Sequence, residues 1–174
     1  MKTGQTFRKH RFLVLGMLVP FMTGATGVSS GFKTRILAAH NIERAAMGVP
    51  PLAWDADLAQ GAQQWADNLA ASGHFAHSPQ TEREEIGENL WTGTKGYYAP
   101  ENMVGAWVRE KKFFKLGRFP DNSTTGRVAD VGHYTQLVWR ETGSVGCARS
   151  ANAEAEFLVC RYSDAGNYIG ESPL

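Results

Sequence analysis

Three observations predict an α+β fold, a three-layer α-β-α sandwich. Apolar residues recur at helical spacing through the first two thirds of the chain, whereas the strand-like runs come late, at 145–149 and 157–163. The second run is nearly all apolar at its centre, Phe157-Leu158-Val159-Cys160, the pattern of a strand covered on both faces. Helices first, strands late, and helices required on both sides of the sheet leave the sandwich as the arrangement that buries every apolar face.

Arg8, Lys9 and Arg11 precede the apolar run from Phe12 to Met22, and small residues from Thr23 to Gly27 follow it, which is the layout of a secretory leader. The run falls short of the about 20 residues that cross a bilayer. Residues 1–30 are therefore read as a signal peptide with a short lead-in, an uncleaved anchor being the alternative, and 31–174 as one domain. Cleavage removes Lys2, Arg8, Lys9 and Arg11 and no acidic residue, leaving 14 basic against 17 acidic side chains, a net charge of −3. Such a balance argues against a broad basic face for duplex nucleic acid. No nucleic-acid partner is expected, and no integral membrane span in the mature chain.

From Thr34 to Met47 the apolar positions Ile36, Leu37, Ala39, Ile42, Ala46 and Met47 predict a first helix that stops at Gly48. An extended connector, Pro50 to Trp54, leads to Asp55, which caps a second helix running to about Ser72 with a buried stripe of Leu58, Ala62, Trp65 and Leu69. A long polar segment from Gly73 to Tyr98 breaks the periodicity; segments of this kind inside a compact domain are commonly functional. Pro100 opens a third helix with Met103, Trp107, Glu110 and Phe114 close to one face, and a second irregular stretch covers 115–131. A short helical or irregular piece, 133–139, precedes the two strands, which are joined by the polar turn Asn152-Ala153-Glu154-Ala155.

The two cysteines, Cys147 and Cys160, fall opposite each other when the hairpin is centred on that turn. Cross-strand neighbours lie at a distance that suits a disulfide, and an exported chain meets an oxidising compartment, so the bond is expected to form and to add on the order of 3 kcal/mol. Two buried free thiols are the alternative.

His77, His133, Glu88 and Glu110 each sit beside glycines, aromatics or irregular backbone where a cleft could form. Neutral imidazoles bind zinc, and a carboxylate orients an imidazole or acts as a base on bound water. Spacing alone carries little, because the chain has neither a His-Glu-x-x-His helix nor a Cys-x-x-Cys pair. Tyr134 and Gln136 flank His133 and either line the cleft or pack. His40 and Asn41, beside Arg44 on the first helix, are read as buried hydrogen-bonding groups. His74 is read as exposed. The stretch Lys111 to Phe119, where cations and phenylalanines interleave, is read as a helix end with its rings in the core rather than a lipid-facing surface.

Gly132-His133-Tyr134-Thr135-Gln136-Leu137-Val138-Trp139 and Phe157 to Asn167 closely resemble the two signature motifs of the CAP superfamily, also called the SCP or TAPS domain. The likeness is greatest to the plant pathogenesis-related class-one proteins. It extends through His40-Asn41-x-x-Arg44, Gly48 to Asp55, Phe75-Ala76-His77-Ser78, Gly87-Glu88-Asn89-Leu90, Trp107 to Lys111 and the ending Gly166 to Pro173, covering about residues 34–174. The resemblance implies a CAP-type sandwich with a central cleft whose two histidines and two glutamates correspond to His77, Glu88, Glu110 and His133, the histidines able to hold zinc. It also implies a disulfide at Cys147 and Cys160. The family includes members that bind sterols or other lipids, and no general enzymatic activity unites it. The chain lacks the other four cysteines of the plant proteins, and Ser163-Asp164-Ala165 departs from their Asp-Pro-Pro junction, so release of a C-terminal peptide is not carried over.

The resulting expectation is a secreted, non-catalytic protein, extracellular or, in a Gram-negative host, periplasmic. It would bind a lipid, a sterol or an extracellular protein, with a divalent metal such as zinc at His77 and His133. The alternative is a zinc-dependent ester or peptide hydrolase in which Glu88 or Glu110 deprotonates a metal-bound water. A third reading, Ser78 as nucleophile with a nearby histidine, has no Gly-x-Ser-x-Gly elbow behind it.

Overall fold

The computed structural model describes Met1, residues 27–83 and residues 85–174. The expected leader lies mostly outside the described residues. The first helix, α1 (Gly27–Ala46), begins seven residues before the expected Thr34. After the two-residue strand β1 (Ala53–Trp54) comes α2 (Ala56–Ser72). Its start and stop are locally encoded: the Asp55 carboxylate accepts from the N–H groups of Asp57 and Leu58 at 2.8 and 2.9 Å, and Gly73 ends the helix in the left-handed region at φ 68°. The buried stripe is Leu58, Ala62, Ala66 and Leu69. Trp65 stands at its margin, half-buried, with its indole N–H donating to the Ala76 carbonyl.

The polar segment expected to be irregular contains a strand, β2 (Gly87–Thr94). Next come α3 (Pro100–Val108), continued by a tighter turn over Arg109–Phe113, and the short α4 (Gly132–Leu137). The chain then forms the hairpin of β3 (Ser144–Ala151) and β4 (Ala155–Ser163). The sheet order is β1-β3-β4-β2, with β1 parallel to β3 and the other pairs antiparallel. The hairpin register runs without interruption from Ser144↔Ser163 to Ala151↔Glu156 and sets Cys147 opposite Cys160, where they form a disulfide.

β4 is central and buried from Glu156 to Tyr162, as its unalternating sequence requires. Phe157 and Val159 face α2 with Ala148 and Leu90, while Leu158, Cys160 and Tyr162 face Ile36, Met103, Val104, Trp107, Tyr134 and Leu137 from α1, α3 and α4. These are the three layers. The α2 layer sits very close: a Cβ on Gly146 would run into the backbone of Asp55, Leu58 and Ala59.

The opposite layer is held by polar groups in the core. Arg44, fully buried, donates through Nε to the Pro50 carbonyl at 2.7 Å, through Nη1 to those of Leu137 and Trp139 at 2.9 Å each, and through Nη2 to that of Thr142 at 2.9 Å. Burial draws its pKa down to about 10, so it remains protonated at neutral pH. Asn41 pairs with the backbone of Leu52 in both directions. His40 donates from Nδ1 to the Ile36 carbonyl (2.8 Å) and accepts at Nε2 from the Tyr162 hydroxyl (2.9 Å).

Burial pushes the His40 pKa down from 6.5 to about 4, against the raising effect of the Ile36 carbonyl. The folded state therefore keeps His40 neutral over a range where the unfolded chain protonates it. The stability tied to this difference is fully present above pH 6.5 and lost as pH falls from 6.5 towards 4. The loss is roughly 3 kcal/mol at about 1.4 kcal/mol per pKa unit. Urea unfolding measured in steps through this window should show the decline, and His40→Gln should flatten it.

Candidate functional site

Glu88 enters from β2 on the face covered by α2, opposite Arg161 of β4. A glutamate at this depth needs partners for both oxygens. Its Oε1 accepts from His77 Nδ1 at 2.8 Å and from the Ser78 N–H at 3.0 Å, and its Oε2 from the Ser78 hydroxyl at 2.8 Å and Arg161 Nε at 3.4 Å. Arg83 Nε lies 3.8 Å from Oε1 and donates to the Ser78 carbonyl at 3.0 Å. Burial pushes the Glu88 carboxyl up, but the hydrogen bonds from His77 and Ser78 and the Arg83 charge outweigh it and hold the group below the ordinary carboxylate range. Glu88 is thus an anion that fixes the His77 ring.

The second pair comes from the other helical layer. His133, on α4, sets Nδ1 2.6 Å from Glu110 Oε1, and Glu110 Oε2 accepts the Tyr134 N–H at 3.0 Å. Trp107 stacks nearly parallel to the His133 ring, at 13° and 6.1 Å between centroids. The Asn89 amide donates to the His133 carbonyl at 3.0 Å and to the Tyr162 hydroxyl at 3.2 Å, extending the chain of hydrogen bonds that begins at His40. The structure thus joins His77 with Glu88 and His133 with Glu110. The two pairs are linked through the Glu88-Asn89 backbone and the Asn89 amide. Among the described residues no group of three or more His, Cys, Asp or Glu is gathered as a metal-binding cluster.

A cleft of about 330 Å³ opens on the first pair, lined by His77, Gln80, Arg83, Glu88, Gln136 and Asn167 among others. Gln136 lines the cleft, and its Oε1 accepts the Gly166 N–H at 2.9 Å. Tyr134 does not: its ring is fully buried against Phe114, and its hydroxyl donates to Glu43 at 2.9 Å. The Ser78 hydroxyl donates to the Glu88 carboxylate and lies 3.2 Å from Arg161 Nη2. His74 is exposed.

The segment after β4 forms one wall of the cleft. Ala165 N–H donates to the Glu85 carbonyl at 3.1 Å, and the Asn167 side chain donates to the Gly132 carbonyl at 2.9 Å and accepts from the Thr135 hydroxyl at 2.6 Å. Sequence reasoning missed Arg83, Arg161 and Asn167. For Arg161 a signal existed: a charged residue inside a strand buried on both faces must meet an opposite charge.

In each pair the imidazole turns Nδ1 to a carboxylate, which leaves Nε2 as the nitrogen with a lone pair. Carboxylate-oriented imidazoles of this kind are the usual preparation of a histidine metal ligand.

Comparisons with known proteins agree with the fold and the motifs. The model of the cysteine-rich secretory protein family matches residues 37–162. Pathogenesis-related protein 1A of Nicotiana tabacum is 41% identical over 138 residues, covering 79% of this chain and 77% of that protein. The secreted protein RBT4 of Candida albicans is 35% identical over 168 residues, 88% of this chain and 44% of that protein. Among solved structures, the crystal structure of NaASP2 with Zn2+ superimposes with a TM-score of 0.70 at 26% identity, covering 86% of this chain and 88% of that one. The chain belongs to the cysteine-rich secretory protein, or CAP, family.

Proposed function

We propose that this chain is a secreted, non-catalytic binding protein that holds a divalent metal, zinc by its donor chemistry, through the Nε2 atoms of His77 and His133. The observation that carries this reading is the paired arrangement His77–Glu88 and His133–Glu110, in which each carboxylate occupies Nδ1. With two protein nitrogens as ligands, the rest of the coordination shell falls to water or to the bound partner. The crystal structure of NaASP2 with Zn2+ adds support, and the secreted protein RBT4 supports export. No described helix is long and apolar enough to cross a membrane. The polar lining around His77, with Gln80, Arg83, Gln136 and Asn167, suits a polar group of the partner, whether a lipid headgroup or a protein side chain.

Binding is favoured over hydrolysis by the state of the two carboxylates. Each oxygen of Glu88 and of Glu110 already accepts at least one hydrogen bond from the protein. Glu88 is also held in its ionised form by its neighbours. A general base needs a lone pair directed at the water it deprotonates; those of Glu88 are directed at imidazole, backbone, hydroxyl and guanidinium donors, whereas each Glu110 oxygen has a single donor, so the hydrolytic reading rests on Glu110.

Calorimetric titration of the metal-stripped protein with zinc tests the reading. The wild type should bind, the His77→Ala/His133→Ala variant should not, and Glu110→Gln should weaken binding about 10- to 100-fold through loss of ring orientation. Absence of zinc binding in the wild type would sink the metal site. Turnover on an ester or peptide panel that disappears with chelator and with Glu110→Gln would establish the hydrolase instead.

Glu88→Gln should act mainly on stability. Losing the charge that Arg161 and His77 surround is expected to cost on the order of 3 kcal/mol in urea unfolding at neutral pH.

A further inference from the structure

At the opposite end of β2 from Glu88, the structure builds a second candidate site that neither the histidines nor the family motifs use. Trp91, Tyr98 and Tyr97 form a run of rings, each edge-on to the next, with centroids 5.1 and 4.9 Å apart. Tyr97 is 76% exposed and Tyr98 38%, so these rings remain wet. Two neighbouring clefts of about 380 and 500 Å³ share the two tyrosines as a common wall. Arg35, Arg109 and Arg149 line them, and no carboxylate does. Arg35 and Arg149 hold Glu101 and Glu156 at 2.6 and 3.0 Å, while the Arg109 side chain has no acidic partner among the described residues.

The run of rings is set in place by its own strand and turn. A Cβ on Gly93 would come within 2.6 Å of the Trp91 indole and 2.9 Å of the Tyr98 ring, so the bare glycine is what lets both rings lie across the strand. The turn that carries the tyrosines is tied by Tyr97 N–H to the Thr94 carbonyl at 3.2 Å and by Lys95 N–H to the Glu154 carbonyl at 3.0 Å. Rings fixed before binding reduce the ordering a ligand must impose.

We infer that these two clefts bind an extended acidic glycan, an oligosaccharide carrying uronate carboxylates. A sugar ring has an apolar C–H face and a hydroxyl-bearing edge, matching exposed aromatic rings with the Asn102 and Thr92 side chains beside them. Two clefts in line along the tyrosines call for more than one sugar unit. Arginine presents a planar fork that pairs with a carboxylate in two hydrogen bonds. The Arg109 guanidinium, without an acidic partner among the described residues and on a lining that carries no carboxylate, favours an acidic ligand over a neutral one.

Short oligogalacturonides, followed by Trp fluorescence and calorimetry, test this. The wild type should bind them, and their methyl esters about tenfold more weakly once the carboxylates are masked. Tyr97→Ala should cost about tenfold in affinity by removing one ring. Arg109→Gln should cost about fivefold by removing the free guanidinium. Both variants alter exposed side chains and should retain the wild-type melting temperature and zinc titration. Gly93→Val should abolish binding while all three rings remain. The inference is overturned if the wild type does not bind, if the methyl esters bind as tightly, or if affinity survives Tyr97→Ala. It is equally overturned if an oligoglutamate peptide binds as tightly as the uronate, which would make the surface a site for acidic peptides.

Discussion

The guanidinium of Arg44 is the fixed point on which the layer of α1, α3 and α4 is assembled. It sits fully buried with four backbone carbonyls around it, from Pro50, Leu137, Trp139 and Thr142, and with no carboxylate among the described residues as a direct partner. The buried carbonyls after α4 gain charged donors and the buried charge gains acceptors, so each side satisfies the other. One side chain thereby fixes α1, the connector after it and the end of the helix that carries His133. The position of the second histidine is set by core polar geometry before any ligand is considered.

The same economy governs the candidate metal site. His77 and His133 lie in different parts of the fold, and the ring of each is held by its own glutamate. The glutamates are anchored differently. Glu88 is enclosed by Ser78, Arg83 and Arg161, whereas Glu110 relies on one backbone N–H and one imidazole. Orientation of His77 is therefore tied to the strength of the fold around it, while that of His133 depends on the turn following α3.

Much of this was legible in the sequence where the determinants are local. Asp55 and Gly73 mark the ends of α2 because a cap needs only its own few residues, and the Cys147–Cys160 pairing follows from a hairpin whose turn chemistry fixes its register. β2 was not legible. Its first residues, Gly87, Glu88 and Asn89, are polar on both faces, and each polar group is satisfied from afar: Glu88 by Ser78 and Arg161, Asn89 by Tyr162 and His133. A strand stabilised in that way lacks the alternation by which strands are recognised. The motif likeness singled out two histidines and two glutamates, but which glutamate pairs with which histidine is a property of packing between layers. Trp65 was placed in the α2 stripe by spacing, and the smaller Ala66 takes that place because the helix lies close against the sheet at Gly146.

The wall contributed by residues 164–170 separates what the fold needs from what the cleft needs. Every helix and strand of the sandwich precedes Asp164 in the chain, yet Ala165, Gly166 and Asn167 close the cleft by bonding back to Glu85, Gln136, Thr135 and Gly132. A chain ending at Ser163 would contain every described helix and strand of the sandwich and yet lack one wall of the cleft. The architecture and the cleft thus draw on different parts of the sequence, the cleft on a few residues that belong to no helix or strand.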